Sequence, residues 1–328
     1  MVLDSKAKTK VDTIAIITPV WNESQNLARY EEAVRDILLS RDDVNYRIIM
    51  IDDGSTDDSW EKISAICARD DRFEGIRFSR NFGSHIALAA GFDHVECDAY
   101  AVVACDLQDP PAVVNQFVDE WRKGNNIVWG ERRNREDSVW RVFTSIFFST
   151  MVRKFAMPKG SKFTTGSFFL MDDKVANYCR KFRESNRITF AIVAWTGFKQ
   201  TKVSYDRIAR LSGKSGWTFG RMIKAMYDVF IGFSPLPIQL ITVIGGLVSI
   251  LAICLSIYLF TNWLLGAPAE GWTSIMLLMT IFFGVQFLLL GVLSQYLYRI
   301  FLEVVRRPLY FVTEKTNGLS PTDEADDI

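Results

Sequence analysis

Between Asp228 and Glu270 the chain carries no charged residue, and none occurs again from Gly271 to Tyr298. Each gap holds a stretch long enough for a helix to cross the roughly 30 Å hydrocarbon core of a bilayer. A chain with two such stretches near one end is not read as a single soluble globule. Before Asp228, charges are scattered throughout, as in a water-facing domain. The sequence therefore predicts an N-terminal domain followed by a two-helix anchor, with helices over Ile238–Leu259 and Ile275–Leu297. Pro235 and Pro237 mark the entry, where proline is tolerated. The connection, residues 260–274, has no Lys or Arg, whereas Arg221 and Lys224 precede the anchor and Arg299, Arg306 and Arg307 follow it. Basic flanks stay inside, so both termini are expected in the cytoplasm of a multi-pass protein of the plasma membrane. The absence of charged residues within the spans argues against a pump or ion channel.

Five divisions follow: a polar, disordered N-terminus (1–11), a cytoplasmic domain (12–215), a juxtamembrane amphipathic segment (216–234), the anchor (235–298) and a cytoplasmic tail (299–328) whose acidic end is expected to be disordered. Net charge is zero but unevenly spread. Lys199, Lys202, Arg207, Arg210, Lys214, Arg221 and Lys224 face only one acid, Asp206, in the stretch before the anchor. A basic block there attracts anionic lipid headgroups. Trp217–Phe233, aromatic and apolar beside Arg221 and Lys224, reads as an interfacial helix. Five cysteines without paired spacing, and no secretory signal, predict free thiols.

In the first domain, β-branched runs alternate with helical patterns. Thr13–Thr18, Arg47–Ile51, Gly75–Phe78 and Tyr100–Ala104 read as buried strands; Glu23–Leu39, Asp57–Ala68, Ser84–Val95 and Ala112–Lys123 read as helices. That alternation predicts a mostly parallel α/β sheet, in which ligands bind beyond the carboxyl ends of the strands. Val139–Phe155 reads either as a core helix or as one meeting the membrane surface.

The polar motifs fall at those strand ends. Asp52-Asp53-Gly54-Ser55-Thr56-Asp57 carries adjacent carboxylates that can accept hydrogen bonds from a nucleotide's base or ribose, with Gly54 for the turn and Ser55 or Thr56 to cap the next helix. In Asp106-Leu107-Gln108-Asp109-Pro110-Pro111, Asp106 and Gln108 are oxygen ligands suited to Mg2+ or Mn2+, which would neutralise a departing diphosphate. Asp109 before Pro110 reads as a helix cap. Arg80-Asn81-Phe82-Gly83-Ser84-His85 joins an arginine, a glycine turn and a helix start, suited to an anion. His85 reads as a structural hydrogen-bonding residue, with a ligand or a base as the alternative, and His94 reads as structural. Arg132, Arg133 and Arg135, and then Arg207, Arg210 and Lys214, are phosphate-binding candidates.

Pro19-Val20-Trp21-Asn22-Glu23, Asp52-Asp53-Gly54-Ser55, Arg80-Asn81-Phe82-Gly83, Asp106-Leu107-Gln108-Asp109-Pro110-Pro111 and the two C-terminal helices together resemble family-2 glycosyltransferases of the GT-A fold. Within them the chain looks like the polyprenyl-phosphate branch, which holds bactoprenol glucosyltransferases and dolichyl-phosphate mannose synthases. The resemblance implies a GT-A, Rossmann-like α/β domain, juxtamembrane helices and two transmembrane helices. It implies an inverting transfer of a hexose, glucose, from a UDP-sugar to a polyprenyl phosphate. Pro19, Glu23, Asp52, Asp53, Arg80 and Gly83 would hold the donor; Asp106 and Gln108 the metal; Asp106 and Arg132 would act in catalysis; Arg133, Arg207, Arg210 and Lys214 would hold the acceptor phosphate. Expected partners are the donor, the lipid and the membrane, with no nucleic acid; a homo-oligomer is an allowed assembly. Two positions depart from the pattern: Ala104 stands where many relatives have an acid, and Ser167 where they often have Asp.

Other classes remain as alternatives. Transfer of mannose or another sugar keeps the same motifs. A non-catalytic membrane scaffold with a degenerate transferase domain would account for Ala104 and Ser167. A processive synthase would show Gln-x-x-Arg-Trp, and a dinucleotide-binding oxidoreductase Gly-x-Gly-x-x-Gly after the first strand; neither occurs.

Overall fold

The computed structural model describes residues 11–39, 41–133, 167–185, 187–208, 236–265 and 271–316. The chain divides into two compact units, Met1–Phe219 with Pro308–Ile328, and Gly220–Arg307.

The first unit is built on β1 (Asp12–Val20), β2 (Val44–Asp52), β3 (Phe73–Phe78), β4 (Ala99–Val102), β5 (Ile127–Arg132), β6 (Phe169–Asp172), β7 (Gln200–Tyr205) and β8 (Val312–Lys315). They form one sheet in the order β7-β5-β6-β4-β1-β2-β3-β8. β1 pairs in parallel with β2 and β4, β2 with β3, and β5 with β7, while β6 and β8 run antiparallel to their neighbours. The expected mostly parallel α/β sheet is therefore present.

Its central strands are covered on both faces, which is why they read as continuous apolar runs. Ile14, Ala15, Ile16 and Ile17 are all fully buried. One face packs against α1 (Leu27–Ile37), α2 (Ser59–Cys67) and α4 (Ala112–Arg122) through Tyr30, Ile63, Phe117 and their neighbours. On the other lies α3 (Ser84–His94), followed later by α5 (Asp173–Lys181) and α6 (Thr189–Trp195). At Gly91 of α3, a Cβ would sit 2.4 Å from Ile17 Cγ2, so glycine permits this helix to lie close on β1. The four predicted strands and helices match these elements within a few residues; α1 starts four residues later than expected, at Leu27.

The C-terminal segment departs from the sequence expectation. Residues 299–328 read as a tail, but Val312–Lys315 is an edge strand on β3. Gly75 N donates to Thr316 Oγ1 at 2.8 Å, and the Tyr310 ring stacks on Phe78 at 5.0 Å. This strand is short and polar, so no alternating apolar signal announces it.

The second unit consists of α7 (Leu236–Leu264) and α8 (Trp272–Val305). Both are long and apolar enough to cross a membrane, over Gln239–Asn262 and Ile281–Val305. Their apolar side chains, such as Leu247, Leu251, Phe287 and Leu288, are exposed rather than packed as a soluble core. α8 runs beyond the expected Leu297 and stops where Arg306 adopts φ 49° ahead of Pro308. All five cysteines are unpaired. Val139–Phe155 and Trp217–Phe233 lie outside the described residues.

Candidate active site

Three loops interlock beyond the carboxyl ends of β1, β2 and β3. Asn22, with φ 54°, accepts at Oδ1 from Thr56 N at 2.8 Å, while its own N–H donates to Ser55 Oγ at 2.9 Å. Glu23 N donates to Ser59 Oγ at 3.1 Å. Asp52 is fully buried at the end of β2. Its Oδ1 accepts from Ser55 N at 3.0 Å, its Oδ2 accepts no hydrogen bond, and Arg77 Nε stands 3.4 Å from Oδ2. Burial raises the Asp52 carboxyl above its ordinary pKa, and the Ser55 bonds and the Arg77 charge oppose that rise. That oxygen is itself buried, and the Arg77 guanidinium is the charge that faces it.

Asp53 differs. Its Oδ1 accepts from Phe82 N at 2.7 Å and its Oδ2 from Gly83 N at 2.9 Å. Expected to touch the donor, it grips the Arg80–Gly83 loop with both oxygens. Burial raises its pKa to about 6, opposed by those two bonds. Gly54, at φ 65°, lies against the same loop: a Cβ there would come 2.4 Å from the Arg80 carbonyl carbon. Arg80 is exposed, its guanidinium 4.3 Å from the Phe82 ring centre, and Gly83, at φ 100°, precedes α3. Pro19 stands at the end of β1, beside Ile51 of β2. His85 packs its ring 5.2 Å from Phe190, and burial pushes its imidazole down to about 4; a base working near neutrality would need a higher value.

A second cluster gathers after β4. Leu107 adopts φ 53°, and Gln108 N donates to Asp106 Oδ1 at 3.2 Å. The Arg207 guanidinium donates to Gln108 Oε1, and Ile208 N donates to Gln108 O at 3.0 Å. Asp109 does not cap α4, whose flanking residue is Pro111 without a side-chain cap. Its carboxylate instead accepts from Tyr205 Oη at 2.5 Å, with Arg132 Nη2 at 3.7 Å and Arg207 Nε at 3.6 Å. The pull of two guanidiniums and a phenol on this buried carboxylate outcompetes the α4 N-terminus. Burial, then Asp109, push the Tyr205 hydroxyl pKa up, so it serves as a hydrogen-bond donor.

The structure thus brings Asp106, Gln108, Arg132 and Arg207 to one strand-end cluster, together with Asp109 and Tyr205, to which the sequence reading gave no ligand role. Arg133 lies at its margin, exposed, with Nη1 3.8 Å from Asp206. Arg210, Lys214 and Arg135 lie outside the described residues. Ser167, just before β6, is exposed.

Among the described residues, no three His, Cys, Asp or Glu side chains gather as a metal site. Asp106 and Gln108 supply one carboxylate and one amide oxygen. That set is too small for a protein cage, but it fits a hard cation that completes its shell from phosphate and water. Ala104 adds no further oxygen.

Residues 15–179 match the glycosyl transferase family 2. An uncharacterized glycosyltransferase of Synechocystis is 33% identical over 92% of this chain and 95% of its own length. The bactoprenol glucosyl transferase of Shigella phage SfII is 29% identical over 93% of this chain and 99% of its own. Among solved structures, a mannosyltransferase of Pyrobaculum calidifontis in complex with GDP-Man and Mn2+ aligns over 68% of this chain and 64% of its own at 14% identity, TM-score 0.49. Glucosyl-3-phosphoglycerate synthase of Mycobacterium tuberculosis aligns over 67% and 77% at 16% identity, TM-score 0.45. With a family match over half its length and relatives above 30% identity along nearly all of it, the chain belongs to glycosyltransferase family 2 and is a glycosyltransferase.

Proposed function

We propose that this enzyme transfers a hexose, glucose, from a UDP-sugar to a polyprenyl phosphate at the cytoplasmic face of a membrane, with inversion at the anomeric carbon. One observation carries the reading: carboxylate, amide and two guanidiniums converge beyond the sheet, in a chain that continues into two helices of membrane-spanning length. Likeness to the bactoprenol glucosyl transferases over some nine-tenths of both chains supports the acceptor class and the sugar.

In this reading, Pro19, Glu23 and Asp52 hold the nucleoside, and Arg80 and Gly83 form the anion-binding edge. Asp53 holds the Arg80–Gly83 loop in place. Asp106 and Gln108 would hold Mg2+ or Mn2+, which when bound supplies charge neutralisation for the diphosphate. Arg132 stands beside it to stabilise the leaving group. A lipid phosphate oxygen forms the new bond to the anomeric carbon as the bond to UDP breaks, and the electron pair leaves on the diphosphate. Arg207, with Arg133, Arg210 and Lys214, steers the acceptor and fixes its approach. Both termini lie in the cytoplasm, and the α7–α8 connection lies outside.

The test is transfer from radiolabelled UDP-glucose to undecaprenyl phosphate by the full-length protein in detergent. A labelled, organic-extractable product is expected. Faster transfer from GDP-mannose would select the mannosyl reading, and no turnover with any nucleotide sugar the scaffold reading.

A further inference from the structure

One carboxylate oxygen beyond β4 gathers a phenol and two guanidiniums. Asp109 Oδ1 accepts from Tyr205 Oη at 2.5 Å, with Arg132 Nη2 at 3.7 Å and Arg207 Nε at 3.6 Å. Tyr205 ends β7 and Arg132 ends β5, and the two are partners in register. Arg132 Nε donates to Tyr205 Oη at 3.4 Å, and Arg133 N donates to Tyr205 O at 2.9 Å. The phenol thus accepts from Arg132 and donates to Asp109. Packing fixes its ring, which stands edge-on to Phe168 at 5.1 Å and so close to Gly130 that a Cβ there would come 2.8 Å from it.

Two guanidiniums within 3.7 Å of one oxygen are neighbours, and like charges so placed repel. Asp109, at 6% exposure, offsets that repulsion. Charge-assisted pairs usually close to about 2.8 Å. These two stop short, and the position nearest Oδ1 is held by Tyr205 Oη. The arginine side chains are 33% and 35% exposed, so neither is sealed beneath the loop. Among the described residues, Arg132 gives one hydrogen bond, to Tyr205, and Arg207 one, to Gln108, which leaves most N–H groups of each guanidinium uncommitted.

We propose that Asp109 is a positioning residue for the transfer step: its carboxylate, oriented by Tyr205, holds Arg132 and Arg207 as an adjacent pair, so that a donor phosphate and the acceptor phosphate are bound side by side. This rests on the reading of Arg132 and Arg207 as phosphate-binding residues. Asp109 touches neither reactant; it fixes the spacing of the groups that do. The sign of its effect separates this role from a bare charge. An acid beside an anion site weakens anion binding if its charge is all it contributes, and strengthens it if it assembles the site.

The experiment is steady-state transfer from UDP-glucose to undecaprenyl phosphate by the full-length protein in detergent with Mg2+, with thermal unfolding of each variant alongside. Asp109→Asn keeps an oxygen for Tyr205 and loses the charge. It is expected to raise the KM for undecaprenyl phosphate about tenfold and to lower kcat by a similar factor. An unchanged or lower KM overturns the proposal, because loss of a negative charge alone favours the anion. Tyr205→Phe keeps the ring against Phe168 and leaves the carboxylate unanchored. A smaller loss of the same kind is expected, and the double variant should be no worse than Asp109→Asn. Losses that multiply in the double variant show two independent roles and overturn the proposal too. If Asp109→Asn does not fold, Tyr205→Phe decides alone, and wild-type KM and kcat in it refute the arrangement. Arg207→Ala separates the two levels. If it leaves the KM for undecaprenyl phosphate at the wild-type value, the acceptor reading fails and this inference with it. If it raises that KM while Asp109→Asn does not, the positioning role alone fails.

Discussion

Replacing Gly54 by alanine should damage both the fold and the donor site, and the structure gives the size of each effect. Gly54 has φ 65°, a conformation costing a residue with a Cβ about 1–2 kcal/mol. The added Cβ would also lie 2.4 Å from the carbonyl carbon, 2.6 Å from the Cα and 2.8 Å from the oxygen of Arg80. These are backbone atoms, so no rotamer change relieves the overlap. The Arg80–Gly83 loop must retreat by about an ångström, to ordinary contact distance. That stretches the bonds from Phe82 N and Gly83 N to Asp53, and a hydrogen bond to a charged group contributes about 1.5–3 kcal/mol. Strain plus one such bond gives about 4 kcal/mol. For a unit of this size, about 2–4 °C of melting temperature go with each kcal/mol, so a fall of roughly 8–16 °C is expected. Gly124→Ala is the control. Gly124 has φ 83° and nothing within 4 Å of the added atom, so only the strain applies, roughly 2–8 °C with UDP affinity unchanged. Thermal unfolding of both variants in detergent, with UDP calorimetry, reads the difference. A Gly54→Ala protein that melts no lower than Gly124→Ala and binds UDP normally would refute the interlocked-loop argument.

Asp106→Asn should greatly reduce turnover with the fold intact, and excess chelator should do the same to the wild type; full activity in chelator removes Asp106 and Gln108 from a metal role. Arg207→Ala should raise the KM for polyprenyl phosphate without weakening UDP binding. It should also tighten Mn2+ binding in the absence of donor, because Gln108 Oε1 is freed, and unchanged Mn2+ affinity by paramagnetic resonance would contradict that. Burial holds the His94 imidazole down at about 4, so the folded state keeps it neutral while the unfolded chain takes a proton below about 6.5. The stability it contributes is complete above pH 6.5 and is lost as pH falls towards 4; His94→Gln should flatten that acid limb of the melting curve, and an unchanged slope refutes the assignment. A cysteine at Ala267 should react in intact membranes with reagent confined outside, and labelling from the cytoplasmic side would reverse the topology.

The parts of this fold that were legible are those whose signal is local. β1 to β4 are apolar runs ended by polar motifs, and such runs mark strands buried on both faces. α7 and α8 announce themselves by the absence of charge. What was not legible depends on pairing at long range. β8 is four residues of mixed polarity, and only its neighbours Phe78, Trp60 and Arg77 explain its place. Asp109 shows the same limit at one side chain. Before Pro110 it has the local look of a helix cap, and the competing partners, Tyr205 and Arg207, lie some hundred positions away in the chain. Asp53 and Asp52 are adjacent and chemically alike, yet one holds the Arg80–Gly83 loop and the other pairs with Arg77. Asp52 is the last residue of β2 and Asp53 the first of the loop beyond it, so a dipeptide read from sequence as one site divides into two.

The two positions that depart from the family pattern fit one chemical account. A hydroxyl acceptor needs a base to remove its proton as it attacks, and a carboxylate at position 167 would supply one. Ser167 cannot. A lipid phosphate arrives already ionised at neutral pH, so its attack requires approach and charge management rather than proton removal. Managing that charge is what the cluster beyond β4 is equipped to do. Arg132 and Arg207 both reach Asp109, and Arg207 also reaches Gln108, so two positive groups stand at the loop that carries Asp106. Ala104 removes a negative charge from the same place. A site with fewer acids and close guanidiniums favours two anions at once, the departing diphosphate and the arriving phosphate, over a neutral acceptor. On this account, restoring a carboxylate with Ser167→Asp should not speed transfer to a lipid phosphate, because no proton waits to be removed there. An increase in kcat for that variant with polyprenyl phosphate would show that a base is limiting and that the charge argument is wrong.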